Sequence, residues 1–240
     1  MGDTTLQTAV REMPVYVAMP TRPPPWPGVV VLHDAFGMSE VLRRHADWLA
    51  GEGYLAAAPS LYRSGRRLSA ARAVFRDAAA GSGSTFDDVE ATRTWLASQP
   101  GCNGKIGAVG FCMGGGLALL LTSGHGISAV AVNYGRLPKD PEATLAAACP
   151  VVASYGAKDR SLHGAAARLA EVLAKKGVPH DVKEYPGANH CFLDDFAPGD
   201  VPRPVLALMK LMGVGYRREA AEDARRRILA FFETHLKAAA

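Results

Sequence analysis

Short, continuous apolar runs rich in β-branched residues alternate along this chain with longer segments whose apolar residues recur at helical spacing. The first clear run, "GVVVLH" (28–33), reads as a strand buried on both faces of a parallel sheet. "SEVLRRHADWLAGEGY" follows it and places Val41, Leu42, His45, Ala46 and Leu49 on one helical face, with Ser39 as the cap and Gly51 or Gly53 past the end. The pattern then repeats: strand "YLAAAP", helix "SAARAVFRDAAA", a break at "GSGST", and helix "TFDDVEATRTWLASQ" with Thr85 and Asp88 spaced as a capping box. Strand "KIGAVG", helix "GGGLALLLTSG", strands "ISAVAVNYG" and "PVVASYGAKD", helix "HGAAARLAEVLAKKG", strand "HDVKEYPGANH" and a last helix ending "ARRRILAFFETHL" complete it. Such alternation predicts βαβ units: an α/β fold with a mainly parallel central sheet and helices on both faces.

At 240 residues the chain is long enough for a sizeable core and is read as one domain over 1–240. Apolar residues make up 48%, with no run that could span a bilayer, so a soluble protein with no membrane partner is expected. The first residues lack the pattern of a secretory signal, and Leu6 breaks the myristoylation pattern, which makes a cytoplasmic location the expectation. Net charge is +4, and the densest basic cluster, Arg225-Arg226-Arg227, reads as a solvated helix face rather than a nucleic-acid site. Cys102, Cys112, Cys149 and Cys191 are irregularly spaced, give no CxxC pair, and are read as reduced thiols.

Ligands of parallel sheets sit at the carboxyl ends of the strands, so residues that follow strands are the candidates for chemistry. In "VGFCMGGG" (109–116), Cys112 ends a strand and opens a helix on a sharp turn, where side chains at Gly110 and Gly114 would collide. A helix N-terminus also favours a thiolate. Taken alone, this Cys reads better as a small buried hydrophobe. Asp159 follows the strand "PVVASY" and His190 follows "HDVKEY"; each alone fits an ordinary turn residue. Together, in the chain order nucleophile, acid, histidine, the three have the order of an α/β-hydrolase triad.

The segments "VVVLHDAFGM", the Tyr of "APSLYR", "NGKIGAVGFCMGGGLAL", "YGAKD" and "YPGANHCF" resemble the dienelactone hydrolase family, from about Pro14 to the final helix. The resemblance implies an α/β-hydrolase fold and a carboxylic ester or lactone hydrolase acting on a small molecule. Cys112 would be its nucleophile, His190 its base and Asp159 its orienting acid. It also implies an oxyanion hole at the amides of Ala35 and Met113, with no metal and no cofactor. Asp34 stands where the family usually has Glu, as a shorter thiol partner. Asp194 stands where an arginine holding a substrate carboxylate is implied, and Ser60 replaces an Asp, which disfavours a strongly anionic lactone. Arg72 and Arg76 lie in the helix where a second such arginine would be sought.

Phe36, Tyr62, Tyr134, Phe192 and Met209 are candidate pocket residues. In the long segment after His190, Val205, Leu208, Met209 and Met212 recur at helical spacing, which predicts a short helix. It either packs on the sheet or covers Cys112. Cys191 could form a redox link with Cys112, and His33 either supports the oxyanion loop or is structural. Other readings of the same residues are an acyltransferase or thioesterase, or a non-catalytic small-molecule binder.

Overall fold

The computed structural model describes residues 2–8, 11–62 and 67–237. Strands β1 (Gly2–Gln7), β2 (Glu12–Ala18), β3 (Trp26–Leu32), β4 (Leu55–Pro59), β5 (Cys102–Phe111), β6 (Ala129–Asn133), β7 (Val151–Gly156) and β8 (His180–Tyr185) form one sheet, ordered β1-β2-β4-β3-β5-β6-β7-β8. From β4 to β8 across the sheet every pairing is parallel; β1 and β2 run antiparallel at one edge. This is the expected α/β architecture with a mainly parallel sheet.

The apolar runs are continuous because both sheet faces are covered. Val30 and Leu32 of β3 join a core roofed by α2 (Arg67–Ala80), α3 (Ser84–Ser98), α4 (Met113–Leu120) and α6 (Ala165–Lys175). Val29 and Val31, pointing the other way, join a core under α1 (Glu40–Gly51) and α8 (Arg218–Phe232). All four are fully buried, each contributing about 1.5–3 kcal/mol by leaving water. The short α5 (Pro141–Thr144) and α7 (Arg203–Leu211) are further α-helices, and the described residues also include a 3-10 turn (Arg160–Leu162) and a π-helical turn (Glu233–Lys237).

Helix α1 begins as read, with the Ser39 side chain accepting from the Leu42 amide at 3.3 Å. Helix α3 does not. Its cap position is Gly83, which has no side chain to accept a bond, and Asp77 from α2 takes over, accepting from the Thr85 amide at 3.1 Å and the Thr85 hydroxyl at 2.9 Å. The supposed box partner, Asp88, is instead buried against Arg11 at 2.6 Å.

The arginine cluster is also corrected. Only Arg226 is a solvated charge. Arg225 lies over the Trp48 ring, and Arg227 reaches under the sheet edge to Asp181 and the Tyr185 hydroxyl. A helix does follow His190, but α7 has no buried residue, and Leu208, Leu211 and Met212 are exposed. Packing into the sheet's core is therefore not its role.

Candidate active site

β5 delivers Cys112 to the carboxyl edge of the sheet and α4 leads away from it. The turn is tight enough that Cys112 sits at φ 53° and ψ −111°, a conformation that non-glycine residues rarely adopt. Backbone proximity explains the glycines. A Cβ on Gly110 would lie 2.0 Å from the Gly114 carbonyl oxygen, and one on Gly114 would lie 2.3 Å from that of Leu32. The strained elbow presents Cys112 half-buried at the N-terminus of α4, where the Met113 amide belongs to the first turn that lacks helical acceptors.

His190 reaches the same edge from the loop after β8, and Asp159 from the loop after β7. The His190 Nδ1 lies 2.5 Å from Asp159 Oδ2. The other carboxylate oxygen accepts from the Ser161 amide at 3.0 Å and its hydroxyl at 2.6 Å, so Asp159 is fixed from two sides. Burial opposes ionisation of His190, but hydrogen bonds to Asp159 and Cys112 and their negative charge outweigh it and lift its pKa to about 10. Burial likewise opposes the charge on Asp159, and its bonds to His190 and Ser161 still hold the carboxyl below its ordinary value. The structure thus brings Cys112, Asp159 and His190 together, though they are far apart in the chain.

The loop after β3 forms the facing wall. His33 is fully buried, with Nδ1 2.7 Å from the Asp34 carbonyl oxygen and Nε2 accepting from the Leu61 amide at 3.1 Å. It therefore ties the β3 loop to the β4 loop. The Tyr62 hydroxyl donates to the Ala35 carbonyl at 2.8 Å, and its ring stands edge-on to His33. The Asp34 carboxylate accepts from the Phe36 amide at 2.7 Å, so it bonds to its own loop. Burial and then the charge of Asp194 push its pKa up to about 7, against the Phe36 amide, His190 and the Gly37 amide.

The expected pocket residues separate into two groups. Phe36 is partly exposed and meets Phe196 edge-on at 5.7 Å, and Met209 is partly exposed on α7. Tyr134 and Phe192, by contrast, are fully buried, so neither offers surface to a ligand in this conformation. The Tyr134 hydroxyl donates to Asp194 at 2.7 Å, and Phe192 packs against Tyr134 and Tyr185. Asp194 is not at the cleft surface either. It is 1% exposed and meets His45 Nε2 at 2.9 Å. Arg72 and Arg76 are surface charges, the latter paired with Asp77. Cys191 is unpaired and buried, and burial raises its thiol pKa well above the ordinary value.

Three contributors were not singled out from sequence. Ser161, two residues after Asp159, has the spacing of a side-chain turn that could have suggested it. Asn189 accepts from the His190 amide at 2.8 Å and donates to the Met212 carbonyl at 3.0 Å, joining the histidine loop to the end of α7. His45 looked like a core residue on an apolar face, and nothing in its spacing signals Asp194. Among the described residues no group of His, Cys, Asp and Glu is arranged to hold a metal ion, and no helix is long and apolar enough to cross a membrane.

Solved structures with this arrangement of elements include a Klebsiella pneumoniae protein assigned to the dienelactone hydrolases. It is 28% identical, with a TM-score of 0.78 over 96% of this chain and 97% of that one. A dienelactone hydrolase-like promiscuous phosphotriesterase from metagenomic libraries shares the fold at a TM-score of 0.80 and 21% identity, covering 98% and 97% of the two chains. Carboxymethylenebutenolidase of Rhodococcus opacus is 28% identical over 221 residues, 87% of this chain and 81% of that one. The elbow, the loop after β3 and the final helix all fall within residues 13–236, which match the model of one family from end to end: the chain belongs to the dienelactone hydrolase family and is a hydrolase of that type.

Proposed function

We propose that the chain hydrolyses carboxylic esters or lactones through a covalent thioester on Cys112, with His190 and Asp159 completing the triad. The observation that carries this reading is the conjunction of a cysteine on a strained strand-to-helix turn with a histidine 2.5 Å from a buried carboxylate. Cys112 gives its proton to His190, and its sulfur attacks the carbonyl carbon. The negative charge that moves to the carbonyl oxygen meets the amides of Met113 and Ala35, each good donor lowering the barrier by about 3 kcal/mol. The tetrahedral adduct collapses by expelling the alkoxide, which takes the proton from His190 and leaves an acyl thioester. Water, deprotonated by His190, then attacks the thioester, and Cys112 is released with the acid. Asp159 holds the ring so that Nε2 faces the sulfur and stabilises the imidazolium in both half-reactions.

The loop after β3 supports the oxyanion role by its rigidity. The Asp34 carbonyl, in the same peptide unit as the Ala35 amide, is bonded by His33 Nδ1 at 2.7 Å, and Tyr62 holds the next carbonyl, that of Ala35, so the amide direction is fixed before substrate arrives. Asp34, held by the Phe36 amide, shapes the same turn. Its part in the reaction is to set the loop and to hold a proton close to neutral pH beside the thiol's partner His190. The substrate is a small molecule, and nothing in the chemistry calls for a nucleic acid, a membrane or a cofactor.

The test is hydrolysis of a dienelactone and of short-chain and medium-chain 4-nitrophenyl esters by the wild-type protein and by Cys112→Ala. Loss of turnover in the variant, with a covalent adduct of acyl mass trapped on wild-type Cys112, is expected. Equal turnover by both proteins would overturn the assignment.

A further inference from the structure

An acid pair lies beside the cleft. Asp34 and Asp194 come from different loops, are 7% and 1% exposed, and feel one another's charge. Asp194 Oδ2 accepts from the Tyr134 hydroxyl at 2.7 Å and Oδ1 meets His45 Nε2 at 2.9 Å. The proton of His45 belongs on Nε2, because Nδ1 is buried with no partner among the described residues and burial holds the ring below its ordinary pKa. A charged His45 would bury an N–H donor with nothing to accept it, which is the more costly arrangement. The Cys191 thiol also hydrogen-bonds Asp194, so this acid is held by neutral donors, none of which brings a counter-charge.

The surroundings supply little compensation. Asp34 faces Asp194, His190 and the amides of Phe36 and Gly37, and both acids act on Tyr134 and Cys191. Arg44 and Arg225 face His45, but Arg44 is engaged by Asp200 and Arg225 lies over Trp48. Among the described residues no arginine or lysine hydrogen-bonds either acid. The acids are also close to the chemistry. The Tyr134 ring is 5.1 Å from His190, and Phe111, the neighbour of Cys112, stacks on His45 at 4.0 Å.

Resting on the hydrolase reading above, we infer that Asp194, with Asp34 beside it, sets the charge specificity of the cleft. It admits uncharged or cationic esters and rejects esters with a carboxylate near the scissile carbonyl. A second carboxylate brought into this partly desolvated space meets a like charge that salt screens poorly, and the imidazolium of His190 is already paired with Asp159. Neutral substrates carry no such penalty.

The experiment compares 4-nitrophenyl butyrate with the 4-nitrophenyl half-ester of succinate, which differ at the far end of the acyl chain. Wild-type kcat/KM is expected to favour the butyrate by at least tenfold. In Asp194→Asn, which keeps an acceptor for Tyr134, that preference is expected to shrink at least threefold. Because the ratio is taken within each protein, a smaller active fraction of the variant cancels. A wild-type preference for the half-ester, or an unchanged ratio in Asp194→Asn, would overturn the inference. Binding of N-phenylbutanamide and N-phenylsuccinamic acid to Cys112→Ala provides a readout without turnover, with the neutral amide expected to bind at least tenfold tighter. If Cys112→Ala still hydrolyses the esters, the triad reading fails, and the binding preference still judges the acid pair by itself.

Discussion

His33 Nδ1 lies 2.7 Å from the Asp34 carbonyl oxygen while its Nε2 accepts from the Leu61 amide, so the ring is held neutral with one defined tautomer. Burial lowers its pKa from 6.5 to about 4, against the carbonyl bond. The folded state therefore resists a proton that the unfolded chain accepts. The stability this group gives is complete above pH 6.5 and is lost as pH falls from 6.5 towards 4. Between pH 7.5 and 5 the loss is about 2 kcal/mol from His33 alone. Buried His45, also shifted down, acts in the same direction. Urea titrations at the two pH values check this; a midpoint that does not move would contradict it.

The glycines of the elbow separate sharply from glycines elsewhere. Gly110→Ala puts a Cβ 2.0 Å from backbone that cannot retreat, and a loss above about 4 kcal/mol or failure to fold is expected. At Gly51, in the last turn of α1, a Cβ would meet nothing within 4 Å. Gly51→Ala should be neutral or stabilising by up to about 1 kcal/mol. Thermal unfolding of the two variants beside the wild type decides the contrast.

These cases mark how far the residues alone carry the fold. The chain order of the loops that carry Cys112, Asp159 and His190 could be read because each loop follows a strand-like run, "KIGAVGF", "VVASYG" and "HDVKEY". The antiparallel pair β1–β2 was not read. Met13, Val15 and Val17 alternate with Pro14 and Tyr16, a two-residue period that stands out less than the continuous runs of the buried parallel strands. The cap of α3 was misassigned because Asp77, its real acceptor, lies on the preceding helix. Local spacing cannot report a partner brought in by tertiary packing. Tyr134, which follows a strand, and Phe192, two residues after His190, are expected in the pocket, and only three-dimensional packing shows that both are enclosed.

The pH profile of activity should carry the mark of the His190–Asp159 contact. In the proposed reaction His190 holds a proton for the departing alkoxide, and its pKa is raised to about 10. Activity should therefore persist through mildly alkaline pH and fall as pH rises through about 10. Asp159→Asn removes a negative charge and the acceptor that raise this pKa, so the alkaline limb should move to lower pH while kcat falls. A variant whose alkaline limb stays in place would show that Asp159 does not set the ionisation of His190.

Arg11 and Asp88 make a largely buried ion pair at 2.6 Å, with the Arg11 guanidinium also donating to the Ser60 carbonyl at 2.6 Å. Removing Arg11 leaves the fully buried Asp88 without its counter-charge, and Arg11→Ala should cost about 3–5 kcal/mol. Asp88→Leu combined with Arg11→Met should recover much of that loss, because neither charge is then stranded. Denaturant titration of the single and double variants measures the difference, and equal losses in both would refute the account.

Tyr62 tests the oxyanion wall with the smallest possible change. Its hydroxyl donates to the Ala35 carbonyl at 2.8 Å, and Tyr62→Phe deletes that donor while leaving the ring against His33. The Ala35–Phe36 peptide then loses an anchor, and the loop that carries the adjoining Ala35 amide is held less firmly, so that amide would meet the oxyanion less consistently. The amide's bond strengthens as charge builds on the oxygen, so the loss should appear in kcat more than in KM. A fall of about tenfold, roughly 1.4 kcal/mol, is expected, because the bond is made less frequent rather than removed. A matched rise in KM with kcat unchanged would instead place Tyr62 in ground-state binding.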